Sequence, residues 1–303
     1  MPSFRSIVSA VDFSDQSRHA LRWAAALAAL HHSRLTILTA VDPLLAHAAR
    51  TKFALDLAAD TEQNLREFAA TALPNTWPWI PSYEIKVLVG DAADVIRQGA
   101  RRAHADLIVL GTQGLGGVRK FLLGSTTDRL LRSTRTAILA VPLADHGEPA
   151  SESQHSPLFA KTILAATDFS TPANDAAAVA ADLACAHAAS LLLVHVVAPV
   201  TVPSQWRSYV GGVDEESMSR ARTRLDEIAA SMPTGSVLES VVEIGRPAET
   251  IAELATQRRA GLIVLGLVGQ SYDPSARPGA IAYRVLCLSR TPVLVVPPQP
   301  DQS

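Results

Sequence analysis

The chain has 303 residues, 48% of them apolar, with 27 Lys and Arg against 29 Asp and Glu. Folded domains run to roughly 100–200 residues, so this length favours two, and the apolar content excludes a disordered chain. The near-balance of charge excludes a general nucleic-acid binder, which needs a basic face to displace counterions. No apolar run reaches the roughly 18 residues that a membrane-spanning helix needs, because Arg22, Asp182 and His195 break the long stretches. Met1–Arg5 leads into a strand-like run without a signal-peptide core. Cys185 and Cys287 form no CxxC pair, which points to a reduced, cytoplasmic setting.

Ser6–Val11 is a short apolar run, the pattern of a strand buried on both faces. Ser14 or Asp15 then offers an N-cap for an Ala- and Leu-rich helix to about His32. Leu35–Val41 reads as the second strand, followed by an excursion with a helix near Leu55–Ala72. Trp77-Pro78-Trp79, within that excursion, is assigned to packing under a loop. Tyr83–Val89 is the third strand, and Gly90-Asp91 opens a helix to about His104. Leu107–Leu110 is the fourth; a Gly-rich segment leads from it to a helix beginning near Gly124. Ala137–Val141 is the fifth, closed by Pro142.

Strands alternating with helices predict a parallel, doubly wound α/β sheet. Ligands of such sheets sit beyond the carboxyl ends of the strands, where strand order reverses. Strands one and four are the candidates, and their ends carry Asp12 and Gly111.

The chain then repeats itself. Ile7–Ser14 matches Ile163–Ser170 at an offset of 156, and Leu35–Val41 matches Leu191–Val197 at the same offset. Gly90, Gly111, Gly114, Gly124 and Pro142 match Gly245, Gly266, Gly269, Gly279 and Pro297 at an offset of 155. A near-constant offset over so many landmarks means duplication. It divides the chain into domains 1–143 and 158–303, joined by a polar linker, Ala144 to Pro157, that contains Gly147, Pro149 and several serines.

The segment from Gly111 to Ser125 carries the chemistry. It follows a strand, holds Gly111, Gly114, Gly116, Gly117 and Gly124, and ends at a helix start. Glycines let backbone approach a phosphate, and the first amides of a helix have no intrahelical acceptor, so they can face an anion. One helix end contributes about 0.3–1 kcal/mol per charge and up to about 2 when partly buried, so several amides, with Arg119 or Lys120, must act together. Two familiar phosphate motifs are absent. No Gly-Lys-Ser/Thr occurs, and the GxGxxG spacing fails because Gly114-Leu115-Gly116-Gly117-Val118-Arg119 ends in Arg.

Gly111-x2-Gly114-x9-Gly124-Ser125 resembles the G-2x-G-9x-G-[S/T] ATP-binding motif of the universal stress protein family. Asp12-Phe13-Ser14, His195-Val196-Val197 and Gly245-Arg246-Pro247-Ala248-Glu249 are similar to that family too. The resemblance implies two Rossmann-like domains of the adenine-nucleotide α-hydrolase type, each a five-stranded parallel sheet flanked by helices. It implies that Asp12 lies at the adenosine end, that Ala10 walls the adenine and that the backbone of Ala40 bonds it. It places Leu110 and Gly111 beside the ribose, Gln113 and Gly114 at the start of the phosphate loop, and Gly124, Ser125 and Thr126 on the phosphates. ATP, accompanied by magnesium, is the implied ligand. The resemblance also implies that Ala137–Val141 and Pro292–Val296 meet as an intrachain pseudo-dimer, with further pairing into a homodimer.

The second half departs from the pattern. Gly266, Gly269 and Gly279 are retained, as is Asp168, so these four define a candidate second site. Ala280, however, stands in the Ser/Thr position, and Pro274 and Pro278 remove amide donors from the loop.

No Ser/His/Asp or Cys/His constellation and no carboxylate pair is set out by spacing, so the expectation is a nucleotide-binding regulatory protein with at most slow hydrolysis rather than an enzyme. Two alternatives stay open: a ligase or nucleotidyltransferase of the same fold class, though no SGGxDS-like or HxGH-like motif occurs, and a scaffold that binds no nucleotide.

Overall fold

A computed structural model describes residues 4–73, 82–112, 123–142, 162–199, 213–233, 237–269 and 279–298. The chain divides into two compact units at about position 153. The expected linker and the Trp77-Pro78-Trp79 segment lie outside the described residues.

The first unit contains β1 (Ser6–Ala10), α1 (Asp15–His31), β2 (Arg34–Val41), α2 (Pro43–Phe53), α3 (Leu57–Ala72), β3 (Tyr83–Val89), α4 (Ala92–Arg102), β4 (Leu107–Gly111), α5 (Ser125–Ser133) and β5 (Ala137–Val141). Its strands run in the order β3-β2-β1-β4-β5, every described pairing parallel. The chain builds outward from β1 to β3, then returns to lay β4 on the other side, so strand order reverses between β1 and β4. The register Ile7↔Leu107, Val8↔Ile108, Ser9↔Val109 sets their carboxyl ends side by side.

All five residues of β1 are buried, as are Leu107–Leu110 of β4. Helix α1 packs over them through Ala20, Leu21, Ala24 and Ala28, each with no exposed surface. Alanine on that face lets helix and sheet approach closely, while each large buried apolar side chain contributes about 1.5–3 kcal/mol. Asp106, before β4, fixes the start of β1: its carboxylate accepts from the amides of Arg5 (2.7 Å) and Ser6 (3.1 Å).

Sequence periodicity misses α2. The excursion after β2 holds two helices where one is predicted. Asp42 caps α2 through the amides of Leu44 and Leu45, and Pro43 occupies its first turn. Its face gives no apolar stripe to detect, since Ala49 is its one buried residue while Leu44 is 80% exposed and Phe53 76%.

The second unit contains β6 (Thr162–Ala166), α6 (Thr171–Ala186), β7 (Ser190–Val197), α7 (Val213–Ser231), β8 (Val237–Ile244), α8 (Pro247–Gln257), β9 (Leu262–Gly266), α9 (Ala280–Leu288) and β10 (Val293–Val296). Its parallel order, β8-β7-β6-β9-β10, is that of the first unit. The reversal falls between β6 and β9. No helix among the described residues is long and apolar enough to cross a membrane.

Candidate functional site

In the first unit the site starts at the turn from β1 into α1. Thr39 donates its hydroxyl to the Val11 carbonyl at 2.7 Å, which ties the end of β1 to β2. Phe13 then adopts a left-handed backbone, φ 65°, uncommon for a bulky residue. That reversal lets the strand enter the helix sharply. Asp12 accepts from the Ser14 amide at 3.1 Å and from the Ser14 hydroxyl at 2.5 Å. Ser14 in turn caps α1 by accepting from the Ser17 amide at 3.1 Å. Asp12 is therefore not the helix cap. It orients the residue that is, from the carboxyl end of β1.

The other wall comes from β4 and α5. The Thr112 amide continues the sheet by donating to the Val141 carbonyl at 3.1 Å, and the Gly124 amide donates to the Thr112 carbonyl at 2.8 Å. That bond closes the loop between them and brings the start of α5 back to the end of β4. It also corrects one expectation: the Gly124 amide is engaged inside the protein and does not face an anion. Gly124 is the N-cap, with φ −59° and ψ 144° and no side-chain cap bond. The first helical acceptor is its carbonyl, taken by Asp128 at 2.9 Å, which leaves the Ser125, Thr126 and Thr127 amides without an intrahelical partner. The buried Thr127 hydroxyl donates to the Gly111 carbonyl at 3.3 Å, locking helix to strand end.

Ala10, Asp12, Ala40, Leu110, Gly111, Gly124, Ser125 and Thr126 thus lie on one edge of the sheet, at the ends of β1, β2 and β4 and the start of α5. Ala10 and Leu110 are buried, Asp12, Ala40, Gly111, Gly124 and Thr126 are half-buried, and Ser125 is exposed. Gln113, Gly114, Arg119 and Lys120 lie outside the described residues.

The second unit repeats this scaffold. Ser170 caps α6, accepting from the Ala173 amide at 3.4 Å, and Asp168 accepts from the Ser170 amide at 3.0 Å. Phe169 is left-handed, φ 68°, and the Gly279 amide closes its loop on the Leu267 carbonyl at 2.8 Å. Asp168, Gly266, Gly269 and Gly279 all border a cavity of about 590 Å³. This lies within the range of about 300–1,000 Å³ common for small-molecule sites.

The glycines serve packing here. A Cβ on Gly266 would meet the Pro172 carbonyl oxygen at 3.0 Å, Ala173 Cα at 3.1 Å and the Val268 carbonyl oxygen at 3.1 Å. A Cβ on Gly269 would overlap the Asp168 carboxylate.

His195, which is not among the candidate site residues read from the sequence, also lines the cavity. The repeat offset held the signal, because His195 aligns with Thr39. It makes the same tie, Nδ1 to the Thr167 carbonyl at 2.8 Å. A carbonyl only accepts, so Nδ1 carries the proton and Nε2 is an acceptor. Phe169 stacks on the ring at 4.1 Å, and the Arg224 guanidinium lies over Phe169 at 4.7 Å.

Burial holds the His195 pKa below its ordinary value, with Arg224 acting the same way, against the opposing bond to Thr167 and the charge of Asp168. The unfolded chain therefore binds a proton that the folded one resists. This contribution to stability is complete above about pH 6.5 and is lost as pH falls through the depressed folded value. His195→Thr, which copies the Thr39 tie, is expected to flatten the fall in stability of the second unit between pH 7 and pH 5, as read by denaturant midpoints at each pH. An unchanged pH slope would refute this assignment.

No cluster of three or more His, Cys, Asp or Glu side chains suited to a metal occurs among the described residues. What the fold defines is a tandem of doubly wound α/β domains, each with its strand order reversing between its two central strands, and in the second a cavity lies at that point. A model of the universal stress protein family matches residues 3–142 and again residues 160–297, and the chain belongs to that family. It is 27% identical to a universal stress protein of Mycolicibacterium smegmatis over 97% of both chains. A universal stress protein of Thermus aquaticus is 38% identical over 138 residues, 46% of this chain and 98% of that protein, so one repeat here spans nearly all of that relative. The crystal structure of a universal stress protein from Archaeoglobus fulgidus shares the fold, with a TM-score of 0.63 and 19% identity over 98% of this chain and 97% of that one.

Proposed function

We propose that this universal stress protein is a nucleotide-binding regulatory protein whose first unit binds ATP with magnesium. The observation that carries the reading is the bond from Gly124 to Thr112, which returns the start of α5 to the end of β4. Three amides and the hydroxyls of Ser125 and Thr126 then lie at the edge of the sheet that also carries Asp12. Each charge near such a helix end gains about 0.3–1 kcal/mol, so three converging amides, with hydroxyls, give a phosphate chain a graded hold. Magnesium would travel with the phosphates and share their charge. Ala10 and Leu110 supply buried apolar wall for the base and sugar end. Nothing in this set positions an attacking water or a general base, which supports binding with at most slow hydrolysis.

Isothermal titration of the intact chain with ATP and magnesium tests the reading. Saturable heat is expected at millimolar nucleotide or below. No heat under those conditions would leave the scaffold reading standing, and rapid release of AMP or pyrophosphate would favour an enzyme.

A further inference from the structure

The helical excursion between β2 and β3 contributes none of the candidate site residues, yet it carries a cluster of exposed apolar side chains. Of ten exposed large hydrophobic residues among the described ones, four fall between positions 44 and 55: Leu44 at 80%, Leu45 at 62%, Phe53 at 76% and Leu55 at 45%. Single exposed apolar side chains are ordinary, whereas a cluster marks a contact surface. Ala49 is the one buried residue of α2, which packs against α3. Between Phe53 and Leu55, Ala54 takes a left-handed backbone, φ 51°, which costs a residue that has a Cβ. Both flanking side chains remain exposed, so packing within the domain offsets little of that cost.

The charges on the same two helices point to what covers the cluster. Arg50 and Lys52, in the last turn of α2, are exposed and form no ion pair among the described residues. Asp60 and Glu67, exposed on α3, form none either; their carboxylates accept from the side-chain amides of Asn64 at 3.3 Å and Gln63 at 2.9 Å. Arg66 is already paired with Glu62 on its own helix. Over residues 43–72 three cations stand against four carboxylates, so an anionic membrane or a nucleic acid would meet no net attraction. A partner that fits must bring both signs of charge together with apolar surface. A two-fold axis supplies that, because in an isologous contact each copy offers the other the same patch.

We propose that the α2–α3 surface is the contact between two copies of this chain, with Leu44, Leu45, Phe53 and Leu55 covered and Arg50 and Lys52 of each copy meeting Asp60 and Glu67 of the other. Two helices side by side are about 20 Å across and α3 is about 24 Å long, so each copy presents on the order of 500 Å². That is below the roughly 800 Å² per partner of a standard stable interface, so the dimer is weak and reversible, half dissociated on the order of tens of micromolar. The contact needs no nucleotide, so it stands or falls apart from ATP binding.

Sedimentation velocity of the intact chain from about 1 µM to about 500 µM is expected to show a reversible shift from monomer to dimer. Leu44→Glu with Phe53→Glu is expected to leave only monomer over that range, with the unfolding midpoint kept because both side chains are already exposed. Two charge-reversed variants, Arg50→Glu with Lys52→Glu and Asp60→Lys with Glu67→Lys, are each expected to self-associate at least ~10-fold more weakly. Mixed together they are expected to pair, because the two reversed patches are complementary; mixing would not repair a disturbance of the fold. Monomer at every concentration, a dimer that survives Leu44→Glu with Phe53→Glu, or reversed variants that do not pair when mixed would each overturn the proposal. A monomer that sediments with vesicles containing anionic lipid would overturn it too, and would give the patch to a membrane surface.

Discussion

Gly124→Val is expected to weaken ATP binding to the first unit by at least ~100-fold, about 2.7 kcal/mol, while the protein stays folded. The backbone does not resist the change, because φ −59° and ψ 144° suit a β-branched residue. The amide remains, so the bond to the Thr112 carbonyl that closes the loop can persist. What is new is an isopropyl group on the residue that precedes the Ser125 and Thr126 amides, where the proposed site would hold a phosphate. The structural penalty is small: Val caps a helix less well than Gly, about 0.5–1 kcal/mol, which lowers Tm by no more than about 4 °C in a domain of this size. Calorimetric titration and a thermal melt on the same sample check both halves. Retained affinity would show that the start of α5 is not where phosphate binds, and the proposed function would fail with it.

Gly266→Ala is expected to destabilise the second unit by about 1–3 kcal/mol, the usual cost of inserting a methyl into a packed site. Backbone atoms of Pro172, Ala173 and Val268 lie 3.0–3.1 Å from where the Cβ would stand. Backbone cannot turn aside as a side chain can, so α6 would have to move off the end of β9. Gly269→Ala is the contrasting case. The three atoms nearest its Cβ would all belong to the Asp168 carboxylate, the movable end of a side chain, so the expected effect is a smaller loss of stability and a displaced Asp168. Hydrogen exchange by mass spectrometry separates these outcomes. In Gly266→Ala, peptides from 162–199 and 262–269 should exchange faster, and peptides from the first unit should not change. A neutral Gly266→Ala would mean that the close approach of β9 and α6 is slack.

The same residues show what is open to a reader of sequence. The duplication was legible because glycines, prolines and the Asp-Phe-Ser turn recur at offsets of 156 and 155. The strands were legible because a strand covered on both faces must be a continuous apolar run, and the reversal point between β1 and β4 follows from their alternation with helices. Helix α2 was not, because a helix lying on the surface with Leu44 and Phe53 exposed carries no periodic signal.

Residue identities and their spacing alone determined the family, the two repeats and the edge of the sheet at which each candidate site was expected. Tertiary structure decided how the atoms at those edges are used. It engaged the Gly124 amide in closing the loop, gave His195 the tie that Thr39 makes, and gathered Asp168, Gly266, Gly269 and Gly279 around one cavity. The physical reason is that every residue but proline carries the same amide and carbonyl. Which of them are consumed within the fold and which face a ligand depends on where the chain returns in space, and side-chain identity does not record that.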